Sequence, residues 1–313
     1  MKIIDFNAIS QKNISPINFY NWVSDMIKNK NEAILPPKIS LKPFDGVFCN
    51  VMPSIVDKSV GIKVVTRYPE RVPALESFLS LLDLESGEVL ALMDATWITA
   101  MRTGAVAAHA IIHLAKSNFS TIGMLGLGNT TRATMLVLAE VLKDKKLNIR
   151  LLKYKGQEID FIERFKGYNN LSFEVVDTAE ELVSNSDVIV SGVTYLPNDL
   201  CEDKYYQKGV LVVPIHTLGF TNCDLFFDKV FADDYGHVKH FKYFDKFKKF
   251  AEMTDVVNGK VPGRESDDER ILAYNIGISV HDVNFASHIY DMFLDDESLP
   301  EVNLNSPKQK FWV

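Results

Sequence analysis

The sequence predicts an α/β fold in which a doubly wound parallel sheet is joined to a mixed α+β domain. Three observations support this prediction. A glycine turn at 126–128 follows a short apolar segment and opens a helical one. Apolar segments then alternate with helical ones, which is typical of a buried parallel sheet. Before residue 95, short strands rich in β-branched and aromatic residues are separated by turns, which indicates an antiparallel sheet.

Length and composition are those of a globular protein. The 313 residues suffice for two domains, and a net charge of -7 without a basic stripe argues against nucleic-acid binding. The cysteines lie far apart without CxxC spacing, so we expect neither disulfides nor a metal site. We find no signal pattern and no apolar run near the roughly 18 residues of a membrane span. We therefore expect a cytoplasmic protein with no membrane partner.

The first third of the chain begins with a helix and continues as strands. Apolar residues at helical spacing predict a helix over 17–27, and the prolines at 36–37 impose an extended segment. Strands are predicted over 44–53 and 60–65, and 78–94 is predicted to form a hairpin.

An alanine-rich helix is predicted over 95–114. Arg102 lies near its start, where the helix dipole disfavours positive charge. We therefore expect an anionic partner nearby; the alternative is a surface arginine without a role.

The glycine turn is the first candidate binding site. Gly126 and Gly128 allow a tight turn and let backbone N–H groups approach a pyrophosphate at the start of the next helix. Thr131 occupies the third glycine position of the G-x-G-x-x-G pattern. Ala133 is expected to be the small residue that lets helix and strand pack closely. An ordinary strand-to-helix turn is the alternative.

Residues 116–275 are predicted to form a Rossmann-type dinucleotide-binding domain. A helix within it is predicted to be capped by Thr178. The expected strands are 148–154, 173–176, 187–193 and 209–214. Ligands of such sheets bind at the carboxyl ends of the strands. The residues expected there are Ser191, Gly192, Val193, Pro214 and His216.

Toward the C-terminus, a strand is predicted over 230–234. The aromatic and basic stretch 237–250 is expected to cover the sheet edge as a helix. A further helix is predicted to open at Tyr274 and to continue to Phe293.

Separated segments match the pattern of one known family. The matching segments are 61–63, 93–105, 126–128 with Arg132 and, more weakly, 277–282. On these residues the chain resembles the ornithine cyclodeaminase and mu-crystallin family, whose members include alanine dehydrogenases and ketimine reductases. The resemblance implies that residues 1–115 and 276–313 form one discontinuous α+β domain, which binds substrate and forms a homodimer.

The resemblance also implies roles for single residues. Lys63 matches the catalytic lysine of the family, and Arg102 matches its substrate-carboxylate arginine. A guanidinium can hold a carboxylate through two hydrogen bonds, and a partly buried lysine with a lowered pKa can transfer a proton. Lys38 stands where many members have a second carboxylate-binding arginine. A lysine there keeps the positive charge but cannot form the paired hydrogen bonds of a guanidinium.

His216 departs from the family pattern, because cyclodeaminases and the related alanine dehydrogenases have an aspartate there. An aspartate can hold the ammonium of ornithine or act as a base. A histidine near pH 7 can act as acid or base but does not hold a cation reliably. Strict ornithine cyclisation is therefore not expected. A packed loop histidine without a catalytic role is the alternative.

The expected cofactor is NAD or NADP. The second strand of such domains usually ends with an acid for the ribose 2′-hydroxyl, but here it ends with Lys153, Tyr154 and Lys155, which favours the 2′-phosphate of NADP. Exposed lysines at a strand end without such a role are the alternative. The candidates for dinucleotide binding are Thr103, Gly126, Gly128, Asn129, Thr130, Lys153, Ser191, Gly192, Val193 and Gly277.

The sequence therefore predicts an NAD(P)-dependent oxidoreductase that acts at the α-carbon of a small amino, imino or keto acid. An imine reductase and an amino-acid dehydrogenase both fit, and a variant acts on an N-substituted amino acid. Two alternatives stay open. One is a cyclodeaminase-like lyase that uses bound NAD, and the other is a mu-crystallin-like binding protein without turnover. Net consumption of dinucleotide separates the oxidoreductase from the lyase.

Overall fold

The computed structural model describes residues 1–216, 223–304 and 309–310, with side chains left out at 223–224. The predictions for the end of the His216 loop and for the end of the discontinuous domain lie partly outside the described residues.

The elements follow in chain order. The strands are β1 (Lys2–Ile4), β2 (Ile39–Leu41), β3 (Phe48–Val56), β4 (Ser59–Arg67), β5 (Leu75–Asp83), β6 (Val89–Asp94), β7 (Thr121–Leu125), β8 (Leu147–Leu152), β9 (Leu171–Val176), β10 (Val188–Ser191), β11 (Leu211–Pro214), β12 (Lys229–Ala232), β13 (Phe250–Glu252) and β14 (Ile271–Tyr274). The α-helices are α1 (Phe6–Gln11), α2 (Pro16–Lys28), α3 (Thr96–Leu114), α4 (Asn129–Val141), α5 (Gln157–Phe165), α6 (Ala179–Ser184), α7 (Tyr235–Val238), α8 (Met253–Val257) and α9 (Ser279–Asp291).

The first sheet has the strand order β1-β6-β5-β4-β3-β2. It is antiparallel except where β1 runs parallel to β6. The predicted strands 44–53 and 60–65 pair as β3 and β4, and the hairpin predicted over 78–94 is confirmed as β5 and β6. The predicted helix over 17–27 is confirmed as α2.

Side chains alternate across this first sheet. Along β4, Lys63 points to the buried face and Ile62 to the outer face. Helix α9 covers the buried face, where the hydroxyl of Ser279 donates to the carbonyl of Pro53 at 2.8 Å. The outer face is left uncovered in the described chain.

The second sheet is parallel throughout and has the order β13-β12-β14-β11-β10-β7-β8-β9. The predicted doubly wound sheet is therefore confirmed. Strand β7 pairs with both β8 and β10, so the strand order reverses at β7 and opens a crevice at the carboxyl ends. The predicted cap is also present, because the hydroxyl of Thr178 accepts from the backbone N–H of Glu181 at 3.2 Å.

The helix predicted over 237–250 is wrong. Helix α7 ends at Val238, a short 3-10 turn follows at Phe244–Lys246, and β13 pairs with β12 as the edge strand. Aromatic rings stabilise this irregular segment: the ring centroids of Phe244 and Phe250 lie 4.9 Å apart. The stretch covers the sheet edge by aromatic packing instead of helical periodicity.

The helix predicted to open at Tyr274 begins later. Ile271–Tyr274 is strand β14, which lies between β11 and β12, and α9 starts at Ser279. Gly277 has a φ of +75°, which separates strand from helix. The four-residue apolar run is too short for its period to reveal a strand.

Helices α3 and α4 approach each other closely. A Cβ added to Gly104 would lie 2.5 Å from the carbonyl carbon and the Cβ of Ala133. The structure thus places the close contact of Ala133 against the neighbouring helix α3, whereas the sequence suggested a strand. Thr131, at the third glycine position, donates its hydroxyl to the carbonyl of Gly126 at 2.6 Å.

Candidate functional site

A cavity of about 220 Å³ lies between the two sheets. Its lining comes from the buried face of the first sheet, from α3, from the start of α4 and from the carboxyl end of β11. Among the lining residues are Lys38, Lys63, Arg67, Arg102, His216 and Gly277.

Lys63, Asp282 and Arg102 form a buried ion cluster beside the cavity. Nζ of Lys63 lies 2.7 Å from Oδ2 of Asp282, and Nε of Arg102 donates to Oδ1 of Asp282 at 2.8 Å. Lys63 and Asp282 are fully buried, and Arg102 is 4% exposed. Nζ of Lys63 also donates to the hydroxyl of Thr99 at 3.4 Å. Asp282 is therefore the anionic partner that the position of Arg102 led us to expect.

The surroundings of Lys63 lower its pKa into the neutral range. Burial and the nearby charge of Arg102 lower the pKa of Lys63 to about 7, although Asp282 acts in the opposite direction. Burial alone would raise the pKa of Asp282, but Arg102 and Lys63 outweigh it and hold that pKa below its usual value. Lys63 can therefore both donate and accept a proton near pH 7.

The remaining edge of the Arg102 guanidinium faces Gly277. A Cβ at Gly277 would lie 2.8 Å from Nη1 of Arg102, so the backbone can pass over the guanidinium only without a side chain. The N–H of Gly277 donates to Oδ2 of Asp233 at 3.1 Å. Since Nε is bound to Asp282, the two Nη atoms are the ones left to hold a ligand.

His216 lies in the same cavity, among positive charges. Burial together with the charges of Arg102, Arg67 and Lys38 lowers the pKa of His216 to about 4. The ring is therefore neutral at pH 7, where the sequence suggested a group that titrates. The structure thus brings together Lys38, Lys63, Arg102 and His216, which are the residues predicted to act on the substrate.

The glycine turn has the shape of an anion cradle. Gly126 has a φ of +72°, and a Cβ there would lie 2.6 Å from backbone atoms of Gly192 and Val193. A Cβ at Gly128 would meet nothing within 4 Å, so this position faces open space. Helix α4 begins at the next residue without a side-chain cap. Its first N–H groups are thus available to a pyrophosphate, which fits a dinucleotide.

The other dinucleotide candidates lie around this turn. Asn129 and Thr130 open α4, and Thr103 and Thr130 line the cavity. Ser191 ends β10, and the N–H of Gly192 donates to the carbonyl of Leu125 at 2.8 Å. Lys153 lies outside the cavity lining: it follows β8, and its Nζ lies 3.3 Å from Oδ1 of the exposed Asp177.

Sequence reasoning missed three residues of the site. Asp282 lies in a segment that matched the family weakly, but nothing in the sequence names it as the partner of Lys63. Arg67 follows Lys63 by four residues, so strand alternation alone could have placed both on one face. Asn50 lies opposite Val65 in the sheet and lines the cavity.

Residues 8–297 match the model of the ornithine cyclodeaminase/mu-crystallin family. The chain belongs to this family. The resemblance inferred from the segments around Lys63, Arg102 and the glycine turn is thereby confirmed.

Relatives within the ornithine cyclodeaminase/mu-crystallin family match most of the chain. A Delta(1)-pyrroline-2-carboxylate reductase of Bacillus thuringiensis subsp. konkukian is 27% identical over 302 residues, which cover 84% of this chain and 92% of that protein. The Delta(1)-pyrroline-2-carboxylate reductase of Thermococcus litoralis, solved with NADH and L-proline, has a TM-score of 0.85 at 21% identity and covers 96% of this chain and 100% of its own.

An archaeal alanine dehydrogenase dimer with bound NAD has a TM-score of 0.84 at 23% identity and covers 97% of this chain and 99% of its own. These two structures share the fold of this chain. The three relatives named here are two reductases and a dehydrogenase, which agrees with the prediction of an oxidoreductase in this family.

Within the described ranges, no helix combines the length and the apolar character that crossing a membrane requires. Nor do three or more His, Cys, Asp or Glu side chains of those ranges form a group suited to a metal ion.

Proposed function

We propose that this chain is an NAD(P)-dependent oxidoreductase that interconverts a small imino acid and the corresponding α-amino acid. The main support is the buried cluster of Lys63, Asp282 and Arg102, which borders the same cavity as the start of α4. Hydride transfer at an α-carbon needs three things close together: a group that holds the substrate carboxylate, a group that transfers a proton, and a loop that binds the dinucleotide. The relatives' names favour the same class of reaction.

Arg102 is the proposed anchor of the substrate carboxylate. Its Nε is bound to Asp282, so the guanidinium plane is fixed and its Nη atoms can form two parallel hydrogen bonds. Lys38 adds a second positive charge to the cavity. Together they fix the α-carbon in one place.

Lys63 is the proposed proton-transfer group. In the reductive direction its ammonium donates a proton to the substrate nitrogen while the α-carbon receives the hydride. In the oxidative direction the neutral amine removes that proton. Asp282 and Thr99 hold Nζ in position. His216 is proposed to assist as a neutral hydrogen-bonding ring. Its lowered pKa keeps the imidazole unprotonated at pH 7.

The dinucleotide, when bound, supplies or accepts the hydride. The backbone N–H groups at the start of α4 would hold its pyrophosphate, and Thr103, Gly277 and the 191–193 segment would border the reactive ring. We favour NADP over NAD, because β8 is followed by Lys153 and no acid follows it at the strand end. Comparing the affinities for NADPH and NADH tests this preference.

We further propose the division into residues 116–275 and a discontinuous domain formed by 1–115 and 276–313, and a homodimer. The contact of Ser279 with Pro53 supports the discontinuous domain. The homodimer is supported by exposed apolar residues on the outer face of the first sheet, where Phe78 is 49% and Ile62 is 37% exposed.

The test is turnover by a lysine variant. The protein is incubated with NADH or NADPH and a panel of cyclic imines, keto acids with ammonium, and amino acids, and the absorbance of the reduced nicotinamide is followed. Lys63→Ala should abolish turnover and leave dinucleotide affinity nearly unchanged. Loss of both together would indicate that Lys63 is structural.

The same assay separates the alternatives. A lyase would form a cyclic product without net change in reduced nicotinamide. A binding protein would bind dinucleotide and turn nothing over with any substrate of the panel. Either result would refute the proposed oxidoreductase.

A further inference from the structure

We propose that the substrate carries a second acidic group besides its α-carboxylate, and that Arg67 selects for that group. The inference rests on the proposed function, because it assigns the far end of the same cavity. The substrate class is a 2-imino or 2-amino dicarboxylic acid.

The cavity has an excess of positive charge. Four basic side chains line it: Lys38, Lys63, Arg67 and Arg102. Among the residues whose side chains the structure describes, none that lines the cavity is Asp or Glu. Of the remaining residues, 217–222, 305–308 and 311–313 contain no acid, and 223–224 contain Asp224. Asp282, behind the lining, is already shared by Lys63 and Arg102.

One α-carboxylate does not balance these charges. Neither Lys38 nor Arg67 has a carboxylate within 4.0 Å among the residues that the structure describes. Asp233 lies near enough to raise the pKa of Lys38, but burial and Arg102 dominate and lower it. A pyrophosphate would be held by backbone N–H groups at the glycine turn. A second anionic group on the substrate would supply the counter-charge that Arg67 does not receive from the described side chains.

The cavity extends along β4 and has one end at Lys63 and the other at Arg67. Lys63, Val65 and Arg67 alternate onto the buried face of β4, and all three line the cavity. The Cα atoms of Lys63 and Arg67 are about 13 Å apart at roughly 3.3 Å per residue. Arg67 is flanked by Phe48 and Leu75 in the sheet, and its Nη1 donates to the carbonyl of Gly46. Arg102 shares Asp282 with Lys63, so the carboxylate anchor belongs to the Lys63 end of this stretch of β4, and Arg67 lies at its other end.

Asn50 lies between these ends and is an independent sign of a ligand. It pairs with Val65 in the sheet, and its Oδ1 is buried without a hydrogen-bond partner in the described chain. Buried polar atoms of proteins almost always have a partner. Because amide oxygen and nitrogen are interchangeable by a flip, Asn50 can also donate to a carboxylate. A polar substrate side chain would satisfy it.

Other side chains fit the cavity less well. A terminal ammonium, as in ornithine, would lie against Arg67 and Lys38, and the neutral ring of His216 offers it no counter-charge. A purely apolar side chain would leave the guanidinium of Arg67 without a counter-charge among the described residues and Oδ1 of Asn50 without a hydrogen-bond partner. A carboxylate satisfies both groups.

The experiment compares two ligands that differ in one carboxylate. Calorimetry on the protein saturated with its preferred dinucleotide gives the Kd of succinate and of butyrate. We expect succinate to bind at least about 10-fold tighter, as for a charge-assisted pair. Arg67→Gln should remove most of that ratio, and Asn50→Leu should reduce it. Arg164→Gln, an exposed arginine on α5, is the matched control and should leave it unchanged.

Kinetics give a second readout of the same inference. With ammonium and reduced dinucleotide, the kcat/KM ratio of oxaloacetate to pyruvate should exceed about 10 and should fall about 10- to 100-fold in Arg67→Gln. Equal Kd values for succinate and butyrate, or a ratio that Arg67→Gln leaves unchanged, would overturn the inference. Tighter binding of succinate without any turnover of the panel would instead refute the proposed function and leave the acidic subsite standing. Thermal melting of each variant identifies those that fail to fold.

Discussion

The ammonium of Lys63 has lost its water, and Asp282 is the one carboxylate among the described residues that pairs with it. Asp282 also accepts from Arg102, so one negative charge serves two positive ones. A lysine in such a place gives up its proton more readily than one in water. Lys63 can therefore exchange a proton near pH 7 because it is buried and shares its only described carboxylate with Arg102.

The pH dependence of turnover follows from this. Reduction needs protonated Lys63, so kcat/KM for reduction should be constant at low pH and should fall about tenfold per pH unit above about 7. Oxidation needs the neutral amine, so its kcat/KM should rise over the same range. Steady-state rates in both directions from pH 5 to 9 measure this.

The variant Asp282→Asn tests whether Lys63 is the group whose titration sets this pH dependence. Removing the carboxylate removes the interaction that raises the pKa of Lys63, so the falling limb of the reductive profile should move to lower pH. A limb that stays in place would show that another group titrates.

His216 shows the limit of residue-level prediction. From sequence alone a histidine is expected to have a pKa near neutrality, and the place of His216 after a parallel strand predicts that it faces the ligand; in the structure it lines the cavity. The three positive charges around it come from Lys38, Arg67 and Arg102, which are distant in sequence. Their joint effect on the ring arises only when the fold brings them together around it.

At the scale of elements, α3 and α4 join the two halves of the site. Helix α3 contains Thr99, Arg102 and Thr103, and α4 begins at the glycine turn. The absence of a side chain at Gly104 lets the two helices approach closely. The carboxylate anchor and the dinucleotide turn are thereby held at a fixed spacing.

Gly104→Ala should loosen this contact. The added methyl would lie 2.5 Å from backbone atoms of Ala133 and Thr134, which cannot move cheaply. We expect a loss of about 1–3 kcal/mol in the free energy of unfolding, and a raised KM for dinucleotide. Chemical denaturation and steady-state kinetics measure the two effects.

Gly167→Ala is the matched control, because a Cβ there meets nothing within 4 Å. It should leave both quantities unchanged. If Gly104→Ala behaves like this control, the close approach of the two helices has no role in holding the site.

Most elements could be predicted because their patterns are local. β-Branched and aromatic segments separated by turn residues predicted the strands of the first sheet and its hairpin at 78–94, and the threonine followed by glutamate at 178–181 predicted the start of α6. Strands β13 and β14 were missed because three or four residues do not show a period. The contact between Gly104 and Ala133 was missed because the sequence does not state which helices are neighbours.

At the scale of the molecule, one site is assembled from both sheets and from distant parts of the chain. Its residues from Lys38 to His216 could be collected from the sequence by motif and resemblance. The pairing of Asp282 with Lys63, and the position of Arg67 at the opposite end of the cavity along β4, are seen only in the fold. The first sheet also leaves an apolar outer face, which a second copy of the chain is proposed to cover.

Phe78→Lys should prevent that association. Phe78 is 49% exposed at the centre of the outer face, and a lysine there would bury a charge at the proposed interface. We expect the Kd of the dimer to rise roughly 100-fold or more. Light scattering coupled to size-exclusion chromatography measures the mass.

Ile159→Lys is the control, because Ile159 is 68% exposed on α5 and lies far from the first sheet in the chain. It should leave the mass unchanged. A wild-type protein that runs as a monomer at micromolar concentration would contradict the proposed homodimer.

Strand β14 and helix α9 stand late in the chain, yet β14 fills the gap between β11 and β12, and α9 supplies Asp282. While the ribosome is still making the protein, β11 and β12 have no common neighbour, and Lys63 has no carboxylate. The nascent chain therefore has an open sheet and an incomplete ion cluster until residues 271–291 have been made, and apolar strand edges stay exposed to aggregation up to that moment.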